Sequence, residues 1–171
     1  MDQKDVLFKE IDLIQGCISR MARNSFEIKK WTVGLITIML GVLGSNRFAA
    51  LLDSPMKISL LFLMTICTFW YLDAYFLRLE RLYRLKYNWV IKNHYFYHTV
   101  LHTVSYEYAF DLNPYNESMI LDKKEFRKGI LSTMISYTLL CFYGCLALFC
   151  FIIFYGSTAY YLILSFCSHN G

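Results

Sequence analysis

Few side chains in this sequence stand where chemistry would need them. No Gly-rich phosphate loop, GxSxG elbow or HExxH pair occurs, and no two carboxylates fall into a cleft-forming pattern, so the residues point away from an enzyme. Serine, histidine and aspartate are all present, but presence alone is not a triad. His94, His98 and His102 recur at steps of four and would line one side of a helix. A metal site needs ligands converging from more than one element, and no nearby Cys adds one, so neither metal nor cofactor is expected. The six cysteines, Cys17, Cys67, Cys141, Cys145, Cys150 and Cys167, form no CxxC pair and mostly lie in apolar runs, which suits reduced packing residues.

Asp73 is the most informative single residue. It follows Phe69, Trp70, Tyr71 and Leu72 at the end of an apolar stretch, where an ionised carboxylate is costly unless a partner or water meets it. Candidate partners are Arg20, Arg23, Asn24, Lys29 and Lys30, which reach the same depth if a first helix enters a membrane at Trp31. Such a pair either staples two helices or gates the passage of ions, and the sequence leaves both readings open.

The elements that must hold this carboxylate are apolar helices. The chain has 171 residues, is 57% hydrophobic and 18% aromatic, and has a mean hydropathy of +0.38, well above a soluble domain of this size. Three apolar stretches stand out: Trp31 to about Leu52, Ile58 to Phe76, and Ile130 to Tyr155. At 1.5 Å per residue the third reaches about 39 Å, enough to cross a hydrocarbon core of about 30 Å. The expected fold is an all-α membrane protein with three transmembrane helices, long cytoplasmic helical extensions and a short cytoplasmic insert. Residues 1–30 form a cytoplasmic amphipathic helix, 31–77 a transmembrane hairpin, and 78–128 a helical extension with an aromatic-rich insert. Residues 129–155 form the third span, and 156–171 an outer interfacial tail after a break at Gly156, Ser157 and Thr158. Two short helices between Gly129 and Cys167 would give a four-span alternative.

Charge supplies an orientation. Of 17 Lys and Arg, only Arg47 and Lys57 lie between the first two spans, so the positive-inside rule puts the N-terminus and residues 78–128 in the cytoplasm. Both extensions carry helical patterns. Leu7, Ile11, Ile14, Ile18, Met21, Ser25 and Ile28 alternate steps of four and three, the seam of a packed helix. Past the second span, Leu79, Leu82, Tyr83, Lys86 and Val90 share one side, and Arg78, Arg81 and Arg84 another. The seam either closes an antiparallel hairpin within the chain or also joins subunits. Residues 93–118 are dense in aromatic and β-branched side chains, so a short strand pair competes there with helix. Gly34, Thr37, Gly41 and Gly44 in the first span, and Ser132, Ser136, Cys141, Gly144 and Cys145 in the third, suit close helix packing or the lining of a pore.

The blocks IQGCISRMARNSF followed by Trp31, then FWYLDAYFLRLERLYRLKY, FDLNPY and YTLLCFYG resemble, in this order and over nearly the whole chain, a group of small bacterial helical membrane proteins. The resemblance implies a bacterial inner-membrane protein. Some proteins of this general type look like effectors of nucleotide-signalled anti-phage defence, which permeabilise the membrane after a cue from a partner nucleotidyltransferase. On that reading the chain is a homo-oligomeric channel or membrane-disrupting effector. An anionic cytoplasmic ligand, a nucleotide or oligonucleotide, would gate it, with Arg78, Arg81, Arg84, Lys86 and Lys92 as contacts. The same cations beside a span also follow from topology and anionic lipid alone. The alternative function is a non-catalytic membrane scaffold or accessory subunit that anchors a soluble partner through residues 1–30 and 78–92.

Overall fold

The computed structural model describes residues 3–43, 55–100 and 110–169, some of them, including 94–100 and 156–169, by backbone alone. Among the described residues every regular element is helical. In chain order these are α1 (Gln3–Leu43), α2 (Pro55–Val100), a 3-10 turn (Glu117–Met119), α3 (Lys123–Phe126), α4 (Ile130–Met134) and α5 (Tyr137–His169). At 1.5 Å per residue, the 41 residues of α1 and 46 of α2 are about 62 and 69 Å long. Each therefore joins an expected cytoplasmic extension and an expected apolar stretch into one unbroken helix. Proline opens α2, a position where its missing N–H costs nothing and its fixed φ favours the first turn.

The chain packs as two compact units, Met1–Phe26 with Ala74–Thr133, and Glu27–Asp73 with Met134–Gly171. In the first, Ile14 and Val90 form the buried centre, and Leu7, Ile11, Ile18, Tyr87, Trp89 and Leu112 pack around them. The four-and-three seam of α1 thus closes a hairpin against α2 inside the chain. Leu82, Lys86 and Val90, four residues apart, are the buried stripe of α2 in this unit. In the second unit each long helix buries a stripe at helical spacing: Thr32 and Ile36 on α1, Phe62, Ile66 and Asp73 on α2, and Leu139, Tyr143 and Cys150 on α5.

The structure departs from the sequence expectations at several points. Among the described residues, only the helix over Lys57–Asn93 is long and apolar enough to cross a membrane. Three transmembrane helices are therefore not supported on length and composition. Only 13 residues of α1, 31–43, fall in its apolar stretch, about 20 Å of helix, and the apolar run Tyr137–Ile152 is also short. The third stretch does not form one helix from Ile130. It stops at Met134, whose carbonyl accepts a hydrogen bond from Trp70 Nε1 at 3.1 Å, and restarts as α5, where Leu140 N–H donates to Ser136 O at 2.9 Å. The expected break at Gly156 is absent from the backbone, and α5 continues to His169.

Of the strand and helix readings left open for 93–118, the described residues show no strand, and 101–109 lie outside them. Helix α2 runs on to Val100, and residues 110–118 form turns pinned by Asp and Asn side chains, as in Asn113 N–H to Asp111 Oδ1 at 2.8 Å. The hairpin around Arg47, the three histidine side chains and Cys167 lie outside the described residues. A Cβ placed on Gly34, Gly41 or Gly144 would meet nothing within 4 Å among the described residues, so these positions are open.

Ile14 has no exposed surface, whereas its neighbour Leu13 is 42% exposed. Ile14→Ala is expected to cost about 2–5 kcal/mol from lost burial and the cavity left behind. Leu13→Ala should stay within about 0.5 kcal/mol. Denaturant unfolding in detergent, followed by tryptophan fluorescence, checks the contrast.

Candidate functional site

The buried stripes of the second unit are apolar except for one polar residue each, Thr32, Asp73 and Tyr143. Asp73 falls on the inward face because it lies eleven residues, close to three turns, beyond Phe62. Its carboxylate has no exposed surface, and Oδ2 lies 2.6 Å from Lys29 Nζ. The same oxygen accepts a hydrogen bond from Tyr143 Oη at 3.1 Å, and the phenol also lies 3.3 Å from the Phe69 carbonyl. Thr32 borders the phenol and donates its hydroxyl to Ile28 O at 2.7 Å, one turn back on α1. Trp70 stacks on the Tyr143 ring at 5.8 Å between centroids and 11° between planes. Its Nε1–H is taken by Met134, so ring and donor together fix where α5 begins.

This arrangement is a charge-assisted hydrogen-bond cluster contributed by three helices. An isolated buried carboxylate would be costly, and an ammonium plus a phenol satisfy much of its acceptor capacity. Lys29 keeps 27% of its side chain exposed, so it reaches Asp73 from a wetter position. The cluster can hold three helices in register, or come apart if the proton or the ammonium moves. Among the described residues no group of three His, Cys, Asp or Glu side chains is placed to hold a metal.

Of the partners named for Asp73, the structure selects Lys29. Lys30 pairs with Glu27 at 2.7 Å, one turn back. Arg20 and Arg23 belong to the first unit, on the exposed face of α1 that includes Gly16 and Ser19, and Arg20 lies 3.9 Å from Cys17 Sγ. Asn24 is half-buried in that same unit. Tyr143 and Trp70 were not singled out by the sequence reading. The available signal was a phenol inside an apolar run, because a buried Tyr hydroxyl needs a partner.

The basic residues proposed to contact an anion are not one open patch. Lys86 is 1% exposed, donates to Asn113 O at 3.0 Å and lies 3.6 Å from Asp111. It is therefore withdrawn as a surface contact, because the spacing that aligns it with Leu82 and Val90 turns it inward. Arg84 bonds Glu80 one turn back at 2.7 Å, and Arg81 lies 3.9 Å from Glu125. Lys92 is exposed, and Arg78 holds a buried Nε without a hydrogen-bond partner among the described residues. Among the pore or packing residues, Ser132 is exposed, Gly144 is half-buried, and the Ser136 hydroxyl is buried with no partner among the described residues. Cys17 and Cys150 are buried, but Cys67, Cys141 and Cys145 are exposed free thiols rather than packing residues.

Comparison with known proteins finds no matching family model, no matching curated protein and no matching solved structure. The site therefore rests on its own chemistry.

Tyr143→Phe removes a hydrogen bond to a charged group and should cost about 1.5–3 kcal/mol. Lys29→Met leaves the buried carboxylate without its ammonium and should cost more, about 3–5 kcal/mol. Thermal unfolding of the two variants in one detergent gives the order. Equal and negligible losses would mean that the cluster does not hold the helices.

Proposed function

We propose that the chain is a helical membrane protein that works with copies of itself as a channel or membrane-disrupting effector, held closed by the Lys29–Asp73–Tyr143 cluster. One observation carries this reading, the inverted polarity of the second unit. Its outer surface includes Ile38 at 64% exposure, Leu60 at 60%, Met64 at 63%, Leu148 at 63% and Ile152 at 60%, while Asp73 and Tyr143 are fully buried. Water would reverse that pattern, and hydrocarbon tolerates it. An ionisable group within such a bundle marks a functional position by default, since its burial is expensive.

The finer topology is three spans, over residues 31–43 and beyond, 58–76, and α5 from Tyr137. Support for the third comes from the uninterrupted helix to His169. The bias of Lys and Arg toward residues 1–30 and 78–128 supports a cytoplasmic N-terminus. A bacterial inner-membrane location, a nucleotide or oligonucleotide ligand and a nucleotidyltransferase partner rest on the resemblance alone. Self-association is supported by the open space at Gly34, Gly41 and Gly144, where a helix of another copy can approach closely. Of the anion contacts, Arg78, Arg81, Arg84 and Lys92 carry the ligand reading better than Lys86, which is committed inside. The reading involves no catalysis.

A second reading, a membrane scaffold that anchors a soluble partner, is favoured by Phe8 and Leu13, which are 67% and 42% exposed on α1 within the first unit.

The deciding experiment is ion flux from liposomes containing the full chain, together with its oligomeric state in detergent. An oligomer whose flux rises in Asp73→Asn, or on addition of a nucleotide, is expected. A strict monomer without flux under either condition overturns the channel reading and leaves the scaffold. Phe8→Ser should leave flux unchanged on the first reading and abolish partner capture on the second.

A further inference from the structure

A second buried charge cluster lies in the first unit, and nothing above assigns it a role. Lys86 projects inward from α2 and donates to the Asn113 carbonyl at 3.0 Å, with Asp111 Oδ1 at 3.6 Å. Glu10 projects from α1, is 8% exposed, accepts the backbone N–H of Phe110 and faces both Lys86 and Asp111. Asp111 is held by its own segment, Oδ1 accepting Asn113 N–H at 2.8 Å and Oδ2 accepting Asn116 Nδ2 at 2.7 Å. Leu112, between these polar contacts, packs against the Ile14 and Val90 centre. Phe110 enters the segment at φ 61°, a left-handed conformation that disfavours a bulky side chain.

Residues 110–118 are thus tied down at one apolar point and one polar point, with a strained residue at the entrance. The polar point holds two carboxylates and a single ammonium. We propose that residues 110–118 form a strap latched to the α1–α2 hairpin through Lys86, and that the proton on Glu10 sets how firmly the latch holds. With Glu10 protonated, the charges of Lys86 and Asp111 balance. Once Glu10 ionises, a second negative charge enters beside the buried Lys86, repels the partly exposed Asp111 and shares its ammonium. Loosening the strap lets water reach Glu10 and Lys86.

The direction of the pH dependence follows from the groups facing each other across the three elements, Glu10 on α1, Lys86 on α2 and Asp111 on the strap. Burial pushes the Glu10 carboxyl up, against smaller opposing effects from the Phe110 N–H and Lys86. A carboxyl raised in the latched state binds its proton more tightly there, so its contribution is full at low pH and is lost as pH rises through the raised value. Asp111 behaves in the opposite way. Hydrogen bonds from Asn116 and Asn113 hold it below the ordinary carboxylate range, and its contribution fails only when pH falls through that lowered value. Burial also lowers Lys86, so the cation is given up earlier than usual at alkaline pH. The latch is tightest in mild acid and weakens as Glu10 ionises. This inference does not depend on the membrane reading.

Hydrogen exchange of the full chain in detergent micelles, between pH 5 and pH 8 and corrected for intrinsic rates, tests it. The amides of Asn113, Tyr115, Asn116 and Ser118 are all hydrogen-bonded within the strap and report its closure. Their protection should fall with rising pH, by up to about tenfold per pH unit, the limit for one proton. Glu10→Gln should hold the strap at its most protected level across the range. Asp111→Asn should loosen the strap at every pH while leaving the α1 amides around Ile14 protected. A flat profile in the unmodified chain, the same slope in Glu10→Gln, or unchanged strap protection in Asp111→Asn would each overturn the latch. Loss of Ile14-region protection in step with the strap would do the same, because the whole unit would then be opening.

Discussion

A carboxylate without exposed surface has to be met by hydrogen-bond donors, and in the second unit that requirement organises three helices. Asp73 receives an ammonium from α1 and a phenol from α5 on the same oxygen. The neighbouring indole stacks on that phenol and binds the carbonyl that ends α4. Moving any of the three helices by one turn would shift its polar residue about 5.4 Å along the axis, beyond hydrogen-bond reach. The apolar contacts around the cluster lack this selectivity. Phe62, Ile66, Leu139 and Ile36 supply burial, but burial is non-directional and would tolerate a sliding register. The polar contacts choose among the packings that burial alone permits, which is the best-attested role of buried polar groups in helical assemblies.

The first unit applies the same device to a different element. Its inward faces again combine apolar and charged residues, Glu10 beside Ile14 on α1, and Glu80 and Lys86 near Leu82 and Val90 on α2. Here the third contributor is the strap rather than a helix, and its own Asn and Asp side chains preorganise the acceptors offered to Lys86. The contrast lies in charge balance. Asp73 and Lys29 cancel, whereas Glu10, Asp111 and Lys86 do not when all are ionised. A balanced pair suits a fixed register, and an unbalanced triad is responsive to protons.

What the sequence disclosed depended on whether a signal was periodic or local. The α1 seam and the α2 stripe were legible because burial repeats at helical spacing, and the structure buries Ile14, Leu82 and Val90 accordingly. Asp73 was legible because a charge stands out in an apolar run. Its partner could only be narrowed to several basic residues and an amide in the middle of α1, since long side chains on adjacent turns all reach a similar depth. Tyr143 stayed hidden because a tyrosine among aromatics carries no positional mark until another helix approaches it. Lys86 was misassigned by composition: it was grouped with neighbouring arginines as an anion contact although its own periodicity placed it with Leu82 and Val90. The stop at Met134 was illegible for a further reason. The carbonyl that ends the helix is claimed by an indole 64 residues away in the chain, and no local breaker residue announces it.

The glycines mark where helix surface is left open. Spacing small residues along a helix permits close approach, and among the described residues nothing lies within 4 Å of a Cβ placed on Gly34, Gly41 or Gly144. Glycine is a poor helix former and costs about 1 kcal/mol relative to alanine in a helix interior, so each such position lowers the stability of its own helix. The outer surface around them is apolar, with Ile38, Leu148 and Phe149 exposed. Lipid can cover such a face without needing glycine, because acyl chains adapt to any contour. A rigid helix cannot, and gains van der Waals contact only where the backbone can be approached.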